Sequence, residues 1–432
     1  MNRDHDHPLR SDLVNELHAR PSPRVSAPAT AVMLAFKEPQ AAHARDRTRD
    51  VAHLAALARR QGAVAPAPAI THYAEQMGRH RLIWESHTEF VTYTAISEGA
   101  PARPFDAVSG AIFADDWQAA APGKRVTAVM VELLEMPADE RAILPQLERW
   151  FSRDSVAAVQ VLEQSAVVAS DFRIDPAGWM RIAVFVRPEV GPGRTGRLLQ
   201  RLLELETYRA MSMLGLGRAR DLGAHLNRLD PELTGLVAGM QDGPADATLD
   251  RLLAVSQRLE SLAMGNAFRY GATRAYEAIV HDRIAALREE RFENRQLLAE
   301  FMTRRYDPAM RTVQSAQDRV NAMIDRAGRA GELLRTRVDV ERSAQNQSLM
   351  ERMDRRADLQ LRLQHTVEGL SVVAISYYAV GLLSYMLAPL AARAGIDKAV
   401  AIALATPVAV ALVWLGLRRI KARLHKPDGP HL

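Results

Sequence analysis

The chain has 432 residues, no cysteine and a formal charge of +5, which is length enough for two soluble units and a membrane segment. The missing cysteine excludes disulfides, thiolate zinc sites and cysteine nucleophiles. The small positive balance sits partly beside apolar runs and not on a basic, aromatic-interleaved surface, so no nucleic-acid partner is expected.

The stretch from His7 to Pro21 reads HPLRSDLVNELHARP. Leu9, Leu13 and Leu17 recur at four-residue spacing, which predicts a short amphipathic helix. Pro21 and Pro23 stop it. His7 and His18 lie far apart with no third ligand nearby, so both are assigned structural roles.

Residues 31–188 mix strand and helix patterns. The apolar run 31–36 fits a buried strand. Residues 41–62 read as a helix with Val51, Leu54, Leu57 and Ala58 on one side and Gly62 past its end. After a Pro/Ala turn at 63–68, the segments 70–73, 81–84 and 90–96 are β-rich neighbours, expected to be antiparallel. A strand over 126–134 follows, then a helix over 137–151 with Pro137 in its first turn. Segments 156–168 and 180–186 close the strand set. Strands interspersed with helices predict a mixed α/β layer domain.

Few polar clusters here suggest chemistry. His72, His80 and His87 lie near three strands, but alternation alone does not make them converge on a metal. Asp115 and Asp116 read as solvated residues of a cap or loop. Gly191, Gly193 and Gly196 precede a helix, with Arg194 and Arg197 beside them. A helix N-terminus there could hold an anion. The intervening Pro and the missing Lys-Ser/Thr pair favour a plain loop and cap. No GxSxG, HExxH or Walker pattern occurs.

From residue 197 the chain turns helical. Leu198, Leu202, Leu205 and Met211 mark one helix, expected to end near Gly215 and Gly217. Residues 246–305 form a long charged stretch, with interruptions expected at Gly265 and Gly271. Asp307 and Pro308 open another helix. In it Val313, Val320, Ala327 and Leu334 recur every seven residues, with Ala316, Met323 and Ala330 at the companion position. That is coiled-coil spacing. No strong breaker follows up to residue 368, so the helix is expected to continue into the first apolar run.

Two uncharged apolar runs, 369–392 and 399–417, lie near the C-terminus with Arg393, Asp397 and Lys398 between them. A bilayer core takes about 20 apolar residues in helical form. Neither run keeps a polar stripe, so a transmembrane hairpin is expected, with spans at about 369–390 and 399–417. Arg352, Arg355, Arg356 and Arg362 precede it, and Arg418, Arg419, Lys421, Arg423 and Lys426 follow it. This bias places both termini in the cytoplasm of a multi-pass membrane protein. Ala401, Ala405 and Ala409 form a small-residue ridge for close helix approach, and Pro407 is expected to bend the second span. The first span carries Ser376, Tyr377, Gly381, Ser384 and Tyr385 as candidates for helix packing or for lining a pore. No ionisable acid or base lies inside either span, which argues against a proton relay or charge-coupled transporter.

The blocks His7-Pro8-Leu9-Arg10 and Asn15-Glu16-Leu17-His18-Ala19-Arg20-Pro21 resemble the opening signature of a bacterial membrane-anchored family, domain-of-unknown-function family 3422. The blocks GRLLQRLLELETYR from Gly196 and TVEGLSVVAISYY from Thr366 are also similar to that family. The resemblance implies no activity. Abundant arginine and alanine agree with a bacterial, high-GC composition. The layout is similar to the CorA-type magnesium channel superfamily, with an α/β domain, a long stalk helix and two terminal spans. Its Gly-Met-Asn signature is missing: LAPLAA stands at the outer end of the first span, and the nearest look-alike is the scrambled Met264-Gly265-Asn266.

The expected fold is α+β. It comprises an amphipathic segment 1–24, a cytoplasmic mixed α/β layer domain 25–190, a long helical, coiled-coil-like stalk 191–368, a transmembrane hairpin 369–417 and a basic tail 418–432. The expected function is that of a non-enzymatic, homo-oligomeric protein of the bacterial inner membrane, without cofactor or metal and with the lipid bilayer as partner. The alternative is a CorA-like ion channel or transporter whose first span lines the path of a divalent cation. No nucleophile, base and oxyanion donor can be assembled from spacing, which ranks a membrane-bound hydrolase last.

Overall fold

The structure, a computed structural model, describes residues 7, 9, 10, 14, 21–39, 45–395 and 397–424. The helix expected over 7–21 and the end of the basic tail lie mostly outside the described residues. The chain divides into two compact units, Met1–Glu332 and Leu333–Leu432.

The first unit is built on a nine-stranded sheet ordered β2-β3-β4-β1-β5-β8-β7-β6-β9. Its strands are β1 (Ala29–Lys37), β2 (His72–Met77), β3 (His80–Ser86), β4 (Phe90–Glu98), β5 (Lys124–Glu135), β6 (Ala157–Val161), β7 (Ala166–Ser170), β8 (Met180–Val186) and β9 (Glu290–Arg291). The β2-β3-β4 neighbours are antiparallel, as alternation predicts. The β5–β8 pair is parallel.

Period-two alternation on β1 explains the layers. Ala31 and Met33 enter one core, and Val32, Leu34 and Phe36 enter the other. On the first face lie α4 (Pro192–Ala238), α5 (Ala245–Leu287), α6 (Leu298–Arg305) and the first turn of α7 (Asp307–Ala394). On the other lie α1 (Arg47–Arg60), α2 (Asp115–Ala119) and α3 (Ile143–Trp150). Leu198, Leu199, Leu202 and Leu205 of α4 are at most 2% exposed. Each such side chain contributes roughly 1.5–3 kcal/mol by leaving water. Both sheet faces are therefore covered.

Several boundaries differ from the expected ones. Helix α4 does not end at Gly215 or Gly217 but runs on to Ala238. Gly215 serves packing: a Cβ there would sit 2.4 Å from Oγ1 of Thr273 on α5. Gly265 and Gly271 do not interrupt α5, which ends at Leu287 with Arg288 in the left-handed region (φ 48°, ψ 58°). The chain then adds β9 to the sheet edge beside β6 before α6 begins. Segment 156–168 is two strands, joined by a turn in which Leu162, Glu163 and Gln164 all have positive φ. Residues 137–151 are helical only from Glu140, first as a 3-10 turn and then as α3.

The heptad residues on α7 are used inside the chain. Val313, Val320, Met323, Ala327 and Ala330 are all buried, while Ala316 is half-buried. Arg319 donates to Asn227 at 2.7 Å and to Asp230 at 3.1 Å on α4, and Arg326 also binds Asp230. A Cβ on Gly331 would meet Leu252 of α5 at 3.9 Å. In the first unit α7 is thus the third helix of an α4–α5–α7 bundle. Its seam faces its own chain and not a second copy, because the seven-residue repeat specifies a buried stripe without specifying whose helix covers it.

In the second unit α7 continues to Ala394 and α8 covers Lys398–Leu424. Residues 341–367 of α7 are all exposed. Both helices contain segments long and apolar enough to cross a membrane.

Candidate functional site

The sequence-chosen residues of the apolar helices do not share one face. Ser376 is buried and its Oγ has no hydrogen-bond partner among the described residues. Ser384 is half-buried and donates back to the Gly381 carbonyl at 2.7 Å. Tyr377 and Tyr385 point outward, 77% and 80% exposed. Ala409 is buried, and Ala401 and Ala405 are half-buried on the same side of α8. The helices adjoin along a groove formed by Val372 of α7 and Ala403, Thr406, Pro407, Val410, Ala411 and Trp414 of α8. The small residues and serines therefore lie toward the hairpin's own seam, and the tyrosines lie away from it.

Other polar groups singled out in the sequence have structural partners. His80 binds Ser97 Oγ at 2.6 Å, whereas His72 and His87 each approach Glu85 at 3.9 Å. Among the described residues no group of acids and histidines is arranged to hold a metal. Asp116 binds Arg60 through two bonds of 2.9 and 2.7 Å at the surface. At the start of α4, Gly196 packs against the Pro23 carbonyl and Arg194 binds Glu163 and the Leu162 carbonyl. That glycine and arginine cluster closes a loop onto the helix. Met264, Gly265 and Asn266 lie within α5, where Asn266 bonds back to the Leu262 carbonyl at 2.8 Å.

A cleft of about 1040 Å³ lies in the first unit where β1 ends and β5 begins, walled by α4 and α5. Its cationic side chains are Lys37 on β1, Lys124 and Arg125 on β5, Arg209 and Arg218 on α4, and Arg269 on α5. Phe172, Met180, Met213, Leu214 and Phe268 supply apolar wall.

Two buried carboxylates set part of this geometry. Glu206 accepts from Arg209 Nε and Nη2 at 2.7 and 2.8 Å and from Thr127 Oγ1 at 3.1 Å. A planar guanidinium held by two bonds is fixed in orientation. Arg209 also lies over the Phe172 ring at 5.8 Å. Glu89, in the β3–β4 turn, pairs with Arg269 and lies 3.4 Å from Lys37 Nζ. It also accepts from the Tyr276 hydroxyl at 2.7 Å. Burial lowers the Lys37 pKa; Glu89 opposes that, and Arg269 and Arg218 add to it. Lys124, Arg125 and Arg218 make no ion pair among the described residues, and Arg125 donates to Gln118 at 3.0 Å.

Sequence reasoning did not find this cleft. Its residues come from five separated segments without a common spacing. The one local sign is Glu206, three positions before Arg209, which interrupts the apolar stripe of α4 with an acid that must find a partner.

No curated protein matches the chain. A family model described as a protein of unknown function (DUF3422) matches residues 5–424, nearly the full length. The chain belongs to that family.

Proposed function

We propose that this is a non-enzymatic, membrane-anchored protein whose C-terminal hairpin inserts in the bacterial inner membrane and carries the first unit on the cytoplasmic side. The observation that carries the reading is uncovered apolar surface on two adjoining helices. Leu370, Val373, Leu382, Met386 and Leu390 on α7, and Leu404, Val408 and Leu412 on α8, are each more than half exposed. Leaving such side chains in water forfeits about 25 cal/mol per Å² of apolar area. A bilayer removes that cost, and helices meet their own backbone hydrogen-bonding needs in it. Ser371, Ser384 and Thr406 likewise bond back to carbonyls of their own helices.

Carbonate extraction of membranes tests the anchor. The full chain should stay in the pellet, and a chain ending at residue 368 should be released. Full-length protein that is soluble without detergent overturns the reading. The chain has no native cysteine, so single-cysteine variants report topology. Asp397→Cys should react with an impermeant maleimide from outside the cell, and Arg59→Cys only after permeabilisation.

For self-association, the surface that fits is the exposed 341–367 stretch of α7, since the heptads at 313–330 are covered by α4 and α5. A strictly monomeric particle in mild detergent overturns that part. The channel alternative gains no support from the placement of Ser376 and Ser384 toward the seam and of Tyr377 and Tyr385 away from it.

A further inference from the structure

We propose that the cleft between the β1/β5 ends and helices α4 and α5 binds a phosphate-headed amphiphile, a phosphate monoester joined to a short apolar body. The proposal does not depend on the membrane anchor, because every residue that lines the cleft belongs to the first unit.

Three observations carry it. The first is an uncompensated charge. Six cationic side chains line the cleft, and among the described residues the carboxylates bonded to them are Glu206 and Glu89. Gathering like charges in a concave, low-dielectric wall is unfavourable unless an anion enters, since such clefts focus the field. The second is preorganisation. Glu206 fixes Arg209, and Glu89 fixes Arg269, so part of the ordering entropy of two long side chains is met before a ligand arrives. Lys124 and Arg218 are left to meet an added charge. The third is the wall itself. Phe172, Met213 and Phe268 flank the cations, and Ile174 at the rim is 75% exposed. An inorganic ion would leave this apolar surface in water, whereas an attached chain or ring would cover it.

The head group follows from charge and geometry. A phosphate monoester carries close to two negative charges at neutral pH and three acceptor oxygens. It can therefore engage cations on β5 and α4 together, and guanidinium groups match its oxygens in pairs. A carboxylate has a single charge and two oxygens for the same set of donors.

The test is isothermal titration calorimetry of the full chain in a neutral maltoside detergent, with hexyl phosphate as probe. Saturable binding is expected, and at least tenfold weaker binding of inorganic phosphate and of hexanol. Lys124 and Arg218 are exposed, so K124E/R218E should fold normally and weaken hexyl phosphate at least tenfold. Gly265 lines the cleft on α5 with open space around its Cα, so G265F should block the probe without touching a charge. Dihexanoyl phosphatidic acid separates the two sources of such a ligand. Tighter binding than hexyl phosphate assigns a lipid headgroup, and weaker binding assigns a soluble phosphorylated compound. Absence of hexyl phosphate binding, equal binding of hexanol, or unchanged affinity in both variants with native unfolding midpoints overturns the proposal.

Discussion

The Tyr276 hydroxyl on α5 donates to the Glu89 carboxylate in the β3–β4 turn at 2.7 Å, across 187 positions of sequence. Glu89 is fully buried and is also the counter-ion of Lys37 and Arg269, whose side chains are 9% and 11% exposed. One carboxylate thus ties the sheet to a helix and is shared by two cations that have little access to water. Glu89→Ala should cost about 3–5 kcal/mol, because removing one member of a buried set leaves the others unpaired. Tyr276→Phe should cost about 1 kcal/mol, since it removes one hydrogen bond only. Urea denaturation of both variants measures this. A Glu89→Ala loss no larger than that of Tyr276→Phe would contradict the hub role.

Glu132 on β5 gives the first unit a defined pH response. It is fully buried, and burial pushes its carboxyl up to about 7. Bonds from Thr30 Oγ1 at 2.8 Å and from the Phe105 amide at 2.9 Å oppose the shift without cancelling it. The folded state therefore holds the proton more tightly than the unfolded chain does. Stability falls as pH rises from the ordinary value of 4.5 to about 7 and levels off above that. A shift of that size corresponds to about 3 kcal/mol. Glu132→Gln, which keeps an acceptor for the Phe105 amide, should be the more stable protein at pH 8 and lose that advantage at pH 4. Denaturation midpoints at the two pH values test the sign, and an advantage that grows on acidification would refute it.

Because the heptad seam of α7 is covered by α4 and α5, a charge placed on it should unfold the monomer and not merely separate subunits. Val320 is 2% exposed. Val320→Asp buries an unpaired carboxylate and removes apolar contact, so a loss of roughly 3 kcal/mol or more is expected. Chemical denaturation at several protein concentrations distinguishes the cases. If the midpoint of the native protein rose with concentration and the variant lost only that dependence, the seam would belong to a subunit interface.

Glycines on α4 make a paired test of close packing against chain flexibility. A Cβ on Gly196 would lie 1.6 Å from the Pro23 carbonyl oxygen, while one on Gly217 would meet nothing within 4 Å. Gly196→Ala should cost about 1–3 kcal/mol as the segment around Pro23 is displaced from the helix. Gly217→Ala should raise stability by up to about 1 kcal/mol, as expected for an open helical site. Thermal unfolding of the two variants gives opposite shifts if the packing is as described.

Much of the architecture could be read before folding was considered. Alternation located β2, β3 and β4 as antiparallel neighbours, and length with absence of charge located the two apolar helices. Boundaries were less legible where a residue type serves two purposes. Gly215 looks like a terminator but allows α5 to come close, and its neighbour Thr273 is far away in sequence. The β9 pairing beside β6 has no local signature, since two residues are too short for periodicity.

What the amino-acid order by itself determined is what short-range physics governs: strand alternation, helical stripes, and two runs long and apolar enough to cross a membrane. The partner of each stripe was decided by tertiary structure. The seven-residue repeat on α7 is satisfied by Val313, Val320 and Ala327 packing within the chain, a choice that depends on where α4 and α5 lie. The basic cleft is likewise tertiary. Lys37, Lys124, Arg209, Arg218 and Arg269 meet only because the sheet ends beside two helices, and electrostatic interaction depends on distance in space, which sequence separation does not encode.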